Sequence, residues 1–371
     1  MKGTTMRAFV FAMALFWLQV AARADGLRVE SFNGAGRLTF NEIPTATVYR
    51  VESAPAPDGS WTVASNGSVA ITAVATGSGS VTCSVPVDVA RQFYRVVATV
   101  TNAASPGAPS GQVLIPSGIS TGTDPDAVAY SLTNDAAFYM DTHEVTKVLW
   151  DAVKNWSDSN GYSYDNSGSG KGTNHPVQGI NWYDCVKWCN ARSQRDGLTP
   201  VYYTDVHCTQ IYKSGQVAEP CVSNSANGYR LPTEVEWQYA ARGRVANRRF
   251  PWDDTDTIQH TRANYLSAVY ASPAYDTSET RGYHPTYKTG ITPYTSPVGA
   301  FEPNDYGIYD MAGNVSEWCY DWYPSYEGVK RTVHGGSWGS PDASFCRVSQ
   351  RDLAKPTFVS DSYGFRTVRK P

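Results

Sequence analysis

The sequence predicts an α+β protein in which a small all-β unit precedes a mixed helix and strand domain with much irregular structure. Short runs rich in Val, Thr and Tyr alternate with Gly, Pro, Ser and Asn between about residues 27 and 100, the texture of short antiparallel strands. Three later segments carry helical periodicity, and the remainder is dominated by turns, glycine and aromatics. With 371 residues, 41% hydrophobic and 18% charged, the chain is long enough for two domains with their own cores and is not a disordered composition. A formal net charge of -3 without a basic block argues against nucleic acid or an anionic membrane as partner, because both require clustered Lys and Arg. The 24 Tyr and 11 Trp serve core and binding surface alike, since each joins a broad apolar face to a polar handle.

Lys2 and Arg7 flank the start of an apolar run, Ala8 to Ala22, that closes in Ala22-Arg23-Ala24. This is the pattern of a secretory signal over residues 1–24, with cleavage expected after Ala24. The run is short for a membrane span of about 20 residues, and no cysteine follows it for lipid attachment. The expected protein is secreted or periplasmic, has no membrane anchor after cleavage, and meets an oxidising compartment in which disulfides persist.

The all-β unit is expected over residues 25–102 as a small sandwich. Its strands are RLTFNEI, TVYRVESA, SWTVAS, VAITAVA, VTCSV and QFYRVVATV. The pair YRVES and FYRVV, with PDGSW between them, resembles fibronectin type III-like modules. A linker is expected over 103–125, its clearest part being TNAASPGAPSG (Thr101 to Gly111), and the second domain over 126–371.

In the second domain, EVTKVLWDAVKNW (Glu144 to Trp156) places Val145, Val148, Leu149, Ala152, Val153 and Trp156 on one helical face. NWYDCVKWCNARS does the same with Trp182, Cys185, Val186 and Cys189, so both read as amphipathic core helices. In RLPTEVEWQYAARG, Thr233 can cap a helix, Glu236 completes a capping box and Gly243 stops it. Of seven cysteines, Cys208 and Cys221 flank a segment that a disulfide could close, whereas Cys185 and Cys189, at i and i+4, have poor geometry for a bridge. Cys83, Cys319 and Cys346 stand alone in sequence.

Several chemistries are excluded by spacing. SGSGKGT (Ser167 to Thr173) lacks the first Gly and the terminal Ser or Thr of a phosphate loop, with Asp165 and Gly172 in their places, and reads as a flexible turn. No G-x-S-x-G elbow, H-E-x-x-H helix or strand-linked G-x-G-x-x-G is present. The six histidines include no i, i+4 pair for a metal, and no paired CxxC suggests structural zinc.

Five segments carry a specific resemblance. HPVQGINWYDCVKWCNARS, YRLPTEVEWQYAARG, YGIYDMAGNVSEWCYDWY, HGGSW and YGFR follow one another in the order found in the formylglycine-generating, or sulfatase-modifying-factor, family, over roughly residues 130 to 371. The resemblance implies a C-type-lectin-related fold. It also implies a structural calcium site at Asp310, Gly313, Val315 and Glu317, with two carboxylates and two carbonyls around one hard cation. A second calcium site of the family corresponds to Asn264 and Tyr265, with Asp276 as the downstream acid.

Family oxidases hold copper(I) between two cysteines after GGS, where soft thiolates select that ion. Here those positions are Ser340 and Phe345, or Ala343 when counted back from GFR, so copper is not expected. Ser316 replaces an active-site Trp of the family, and one family disulfide falls on Ala241 and Val348, both apolar. Cys346, Ser337 and Ser340 remain as catalytic candidates. His334, Trp338, Ser340 and Arg347 are candidates for holding a peptide or glycan. Two functions stay open: a secreted, calcium-stabilised peptide- or glycan-binding scaffold without the copper cysteines, or an oxidoreductase of the family with altered chemistry or substrate.

Overall fold

The computed structural model describes residues 110–126, 129–270 and 272–371 throughout, and before residue 110 essentially only strand backbones. The chain divides into two compact units, Met1–Ala103 and Ala104–Pro371. In the first, Gln92–Val100 pairs antiparallel with Thr4–Ala12 on one side and Val48–Ala54 on the other. Ser80–Ser84, Arg37–Asn41 and Val29–Phe32 form a second, three-stranded sheet. Thr4–Ala12 is thus a strand inside the segment expected to be an export signal. The side chains that would decide whether the two sheets face each other as a sandwich, Cys83 among them, lie outside the described residues.

In the second unit, residues 112–123, expected as part of a linker, are strands instead. Gln112–Ile115 pairs antiparallel with Phe138–Asp141, and Gly118–Thr123 with Ala129–Asn134. Composition misled because a largely polar stretch is tied in by pairing rather than by an apolar face: Ile115 is buried, and the buried Gln112 amide donates to Asp141 Oδ1 at 3.1 Å. Val368–Arg369 adds to the other edge of Phe138–Asp141, closing the end of the chain on the start of the domain.

Helix α1 spans Lys147–Asp158 and is capped by Thr146, whose hydroxyl accepts from Leu149 N at 3.2 Å. It begins later than expected, and its buried face differs. Val148 is exposed, whereas Trp150, which was not assigned to the face, is fully buried. Helix α2, Trp182–Arg195, departs further from amphipathic design, because every residue from Trp182 to Ser193 is buried. Lys187 can be enclosed only because Asp184 and Asp165 lie beside it, at 3.8 and 3.5 Å. Trp150 and Trp188 stack at 5.8 Å, and Phe365 meets both rings edge-on. The YGFR motif is thereby anchored between the two helices. Four of the 11 Trp, Trp150, Trp182, Trp188 and Trp318, are fully buried in this core, and Trp237 is fully buried in a second cluster.

Helix α3, Glu234–Ala241, carries the expected capping box. Thr233 Oγ1 accepts from Glu236 N at 3.1 Å, and Glu236 Oε2 accepts from Thr233 N at 2.9 Å. Gly243, at φ +56°, turns the chain out of the helix where a Cβ would press on Asn304. A four-stranded sheet runs in the order Asp352–Ala354, Arg331–His334, Ser316–Trp322, Tyr363–Gly364. Glu317 sits in its centre, opposite His334 on one neighbour and Gly364 on the other. Cys208 and Cys221 form a disulfide with Cα atoms 5.6 Å apart, while Cys185, Cys189, Cys319 and Cys346 are free and buried. Among the described residues no helix is long and apolar enough to cross a membrane.

The disulfide closes a loop of sequence separation 13, for which loop-closure entropy predicts about 3 kcal/mol of stabilisation. Replacing both cysteines by Ser should lower the urea-unfolding free energy by about that amount without changing the far-ultraviolet circular dichroism spectrum. A loss below about 0.5 kcal/mol would place the bridge outside the cooperative unit.

Candidate functional site

Three carboxylates surround one guanidinium in the interior of the domain. Arg366, fully buried, donates from Nη2 and Nε to the two oxygens of Glu317 at 2.6 and 2.7 Å, and from Nη2 to Tyr309 O at 2.9 Å. The Trp237 indole donates to Glu317 Oε2 at 2.8 Å. Both Glu317 oxygens are therefore engaged within the protein. Glu144 and Asp310 lie next to each other in the same electrostatic neighbourhood, and burial pushes both acids up, Glu144 well above the carboxylate range and Asp310 to about 6. Asp310 Oδ2 accepts from Gly299 N at 2.6 Å, and Glu144, held protonated by burial, is hydrogen-bonded to Asp310, so the two acids meet as a buried carboxyl pair with no other side-chain partner.

Buried carboxylate oxygens carry a large desolvation penalty unless a cation or proton answers them. Arg366 supplies one positive charge against three acids. In the absence of an ion a proton shared by Glu144 and Asp310 answers them, and on deprotonation the same two carboxylates would offer oxygens to a hard cation such as calcium. Glu144 was not assigned from sequence, and Glu317, which was, is turned toward Arg366. Among the described residues no three His, Cys, Asp or Glu side chains converge as a ready-made metal cage. Such a cation would be held by two carboxylates, with the carbonyls of Gly313 and Val315 as candidates to complete the set.

The loop that follows is shaped for close approach. Asp310 and Asn314 have φ of 57° and 61°, and at Gly313 (φ 85°) an added Cβ would fall 2.4 Å from Asn264 O. Asn314 N donates to Asn264 O at 2.7 Å, and Trp338 N to Asn314 O at 2.9 Å, which ties the loop to both Asn264 and the GGSW turn.

The residues of the second expected calcium site are engaged within the protein, Tyr265 and Asp276 with each other. Asn264 Oδ1 is unpartnered, but Tyr265 O faces His260 Nε2 at 3.2 Å. Asp276 accepts from the hydroxyls of Tyr265, Ser267 and Ser272 at 2.6 to 2.7 Å and lies 3.1 Å from Arg281. Hydroxyls and a guanidinium already fill its coordination capacity, so these three residues do not fit the ion.

The GGSW region brings together some catalytic and binding candidates and separates others. Ser337 and Ser340 meet, with Ser337 N donating to Ser340 Oγ at 2.9 Å and the two hydroxyls 3.1 Å apart. They close a tight turn with no base aimed at either hydroxyl. Trp338 packs on Tyr283 and Tyr294 at 5.8 and 5.3 Å, and its indole donates to Asp361 O. The segment read as a flexible turn is instead pinned here: Lys171 donates to Tyr287 O and Thr289 O and lies over the Tyr294 ring at 5.3 Å. His334 is enclosed, stacked on Trp237 at 4.8 Å with Nε2 3.3 Å from Glu234, so it lines no open surface. Arg347 points away into contacts with Ser344 O, Gln350 and Asp126.

Cys346 is buried in an apolar cluster with Phe250, Ile258, Tyr265 and Ala312. Burial pushes its thiol far above the usual range, the reverse of what a nucleophile or copper ligand requires. Ala241 and Val348, at the family's disulfide positions, pack in one apolar cluster. A separate open cleft of about 390 Å³ lies between Trp252, Asp253, Asp254 and Arg262 on one side and Glu302, Pro303 and Asn304 on another, with Asp310 and Met311 among its walls. Nothing in the sequence pattern marked it, because its walls come from three separate segments.

This arrangement of few helices and many short sheets is shared with solved structures. The crystal structure of CarF superposes with a TM-score of 0.54 at 27% identity, over 71% of this chain and 99% of that one. Treponema denticola variable protein 1 superposes with a TM-score of 0.52 at 25% identity, over 70% and 95%. Residues 98–371 match the Sulfatase-modifying factor enzyme 1-like domain, and the chain belongs to that family. A relative from Paenibacillus barcinonensis, Chaperone protein LppX, is 33% identical over 62% of this chain and 80% of its own length. The Formylglycine-generating enzyme of Thermomonospora curvata is 36% identical over 39% of this chain and half of its own length. The Inactive C-alpha-formylglycine-generating enzyme 2 of Bos taurus is 39% identical over 38% and 43%.

Removing Arg366 leaves Glu317 buried without its counter-charge, so Arg366→Met should destabilise the domain by about 3 to 5 kcal/mol. Adding Glu317→Gln to that variant should recover part of the loss. Urea unfolding of the three proteins checks this, and a single variant within about 1 kcal/mol of the native chain would contradict it. Cys346 should stay unmodified by iodoacetamide in the folded protein and label on denaturation, read by peptide mass spectrometry.

Proposed function

We propose that this chain is an exported, non-catalytic member of its family: a calcium-stabilised scaffold that binds a peptide or glycan. The observation that carries the reading is the sulfur chemistry. At the positions of the family's copper cysteines stand Ser340 and either Phe345 or Ala343. The neighbouring thiol, Cys346, is sealed in the core. A lone buried thiol and a hydroxyl cannot supply the two soft ligands that copper(I) needs. The names of two relatives, a chaperone protein and an inactive formylglycine-generating enzyme, are consistent with a family scaffold used without the oxidation.

The binding surface is assigned to the aromatic group of Trp338, Tyr283 and Tyr294 with Lys171 and Lys288 beside it. Trp338 is buried behind Tyr283 and Tyr294, which meet it tilted and edge-on and are themselves half-buried, so these two tyrosines with the lysines offer the exposed aromatic and polar groups that suit sugar faces or peptide side chains. Calcium in this reading is held by Glu144 and Asp310 and stiffens the loop that supports Trp338.

Incubation of the mature protein with Cu(I), oxygen and a Cys-x-Pro-x-Arg peptide should give no thiol-to-aldehyde conversion by mass spectrometry. Conversion above the enzyme-free control would overturn the non-catalytic reading. Calcium at about a hundred times its Kd should raise the Tm of chelator-treated protein by about 5 to 10 °C, since that excess contributes about 2.7 kcal/mol. The shift should be absent in Glu144→Gln. An unchanged Tm in the native chain would remove calcium from the account.

A further inference from the structure

Phe358 and Val359 are large apolar side chains left 46 and 42% exposed, and they stand on fixed backbone. Phe358 N donates to Lys355 O at 2.8 Å and closes a turn, while Pro356 O accepts from Trp182 N at 3.0 Å and Ser360 O from Gly179 N at 2.9 Å. The Phe358 ring meets Tyr363 edge-on at 5.3 Å, and the Tyr363 hydroxyl donates to Asp352 Oδ2 at 3.0 Å. With Leu353, Lys330 and Lys355 these side chains line an open groove of about 490 Å³ that has no acid in its lining. Lys330 lies 4.6 Å over the ring of Tyr326, and Tyr326 and Val329 are themselves exposed, so the apolar surface continues past it. Neither lysine forms an ion pair among the described residues.

We propose that this groove docks a short acidic peptide segment of a partner protein, with one bulky apolar side chain seated against Leu353, Phe358 and Val359 and its flanking carboxylates answered by Lys330 and Lys355. Apolar side chains that a rigid loop holds in solvent become buried on binding with little ordering cost. Charge selects the partner. A lining with two cations and no acid rejects a basic segment, and on a chain of net charge -3 it is a local reversal of sign. A neutral sugar would leave both ammonium groups unanswered. Docking is by side chains and not by strand addition: Asp352–Ala354 is the outer strand of its sheet, but Leu353 N already donates to Asp352 Oδ1 at 2.8 Å and is not free for an incoming strand. The groove shares no lining residue with the group of Trp338, Tyr283 and Tyr294, so the inference goes beyond the function proposed above and does not depend on calcium.

The test presents the full mature chain to an array of synthetic peptides in which a central Phe, Leu or Ser is flanked by Glu, Lys or Gln on both sides, and measures Kd for the bound peptides by fluorescence anisotropy. The Glu-flanked Phe and Leu peptides should bind, and raising salt from about 0.05 to about 0.5 M should weaken them by about 10-fold. Lys330→Glu/Lys355→Glu should weaken binding by about 10-fold or more and shift the preference toward Lys-flanked peptides. Phe358→Ser should weaken it by about 5-fold or more with the preference for Glu unchanged. Lys355 and Phe358 are exposed and Lys330 is half-buried, and the far-ultraviolet spectrum checks that each variant is folded. Binding of no Glu-flanked peptide, equal binding of Glu- and Lys-flanked peptides, or an affinity unchanged in both variants would overturn the docking groove. Affinity lost in Tyr283→Ser but kept in the groove variants would overturn it by moving the peptide to the Trp338 group. Dimerisation of the free chain that Phe358→Ser abolishes would overturn it in favour of a second copy as the occupant.

Discussion

The domain is organised around one guanidinium that cannot neutralise all of its neighbours. Arg366 reaches Glu317 with two nitrogens and the carbonyl of Tyr309 with a third bond, and so joins the last strand region, the central strand and the DMAGN approach in one buried contact. Phe365, one residue earlier, wedges against Trp150 and Trp188 of the two long helices. Position 366 is therefore held from both sides. Its charge is spent on Glu317, and the carboxyl pair of Glu144 and Asp310 is what remains. A low-dielectric interior makes that remainder expensive, and a proton shared by the two acids or a bound cation answers it.

The same network accounts for what the family scaffold keeps when the oxidase sulfurs are missing. Calcium and copper make different demands: the first needs hard oxygens fixed by loop geometry, the second two soft thiolates in an accessible place. Among the described residues the interior holds buried carboxylate oxygens, whereas the free thiols, Cys185, Cys189, Cys319 and Cys346, are all sealed in the core. Trp338, bound through its backbone to Asn314 and through its indole to Asp361, is positioned by the loop at Asp310 rather than by any metal-thiolate bond.

How much of this was legible in the sequence follows from how local each signal is. The capping box at Thr233 and Glu236 and the Cys208–Cys221 bridge were readable because both partners are close in sequence and obey fixed geometry. The strands at 112–123 were hidden because their partners lie further along the chain and their composition is that of a linker. Glu144 was read into the first turn of a helix, where an acid is unremarkable. Thr146 caps that helix two residues later and leaves Glu144 buried against Asp310. Glu317 was legible as part of a motif, but its commitment to Arg366, 49 positions away, was not. His334 and Arg347 stood near the right motif, yet one is enclosed on Trp237 and the other turned toward Asp126. Motif proximity gives the neighbourhood of a side chain and not its direction.

The most direct test of the central claim is anomalous diffraction from crystals of the mature protein grown with calcium, set beside crystals grown with a chelator. The account predicts an anomalous peak between the carboxylates of Glu144 and Asp310, with Glu317 still paired to Arg366. Calcium-grown crystals with no peak and the two acids sharing a proton, or with the ion on Glu317 and Arg366 displaced, would contradict it.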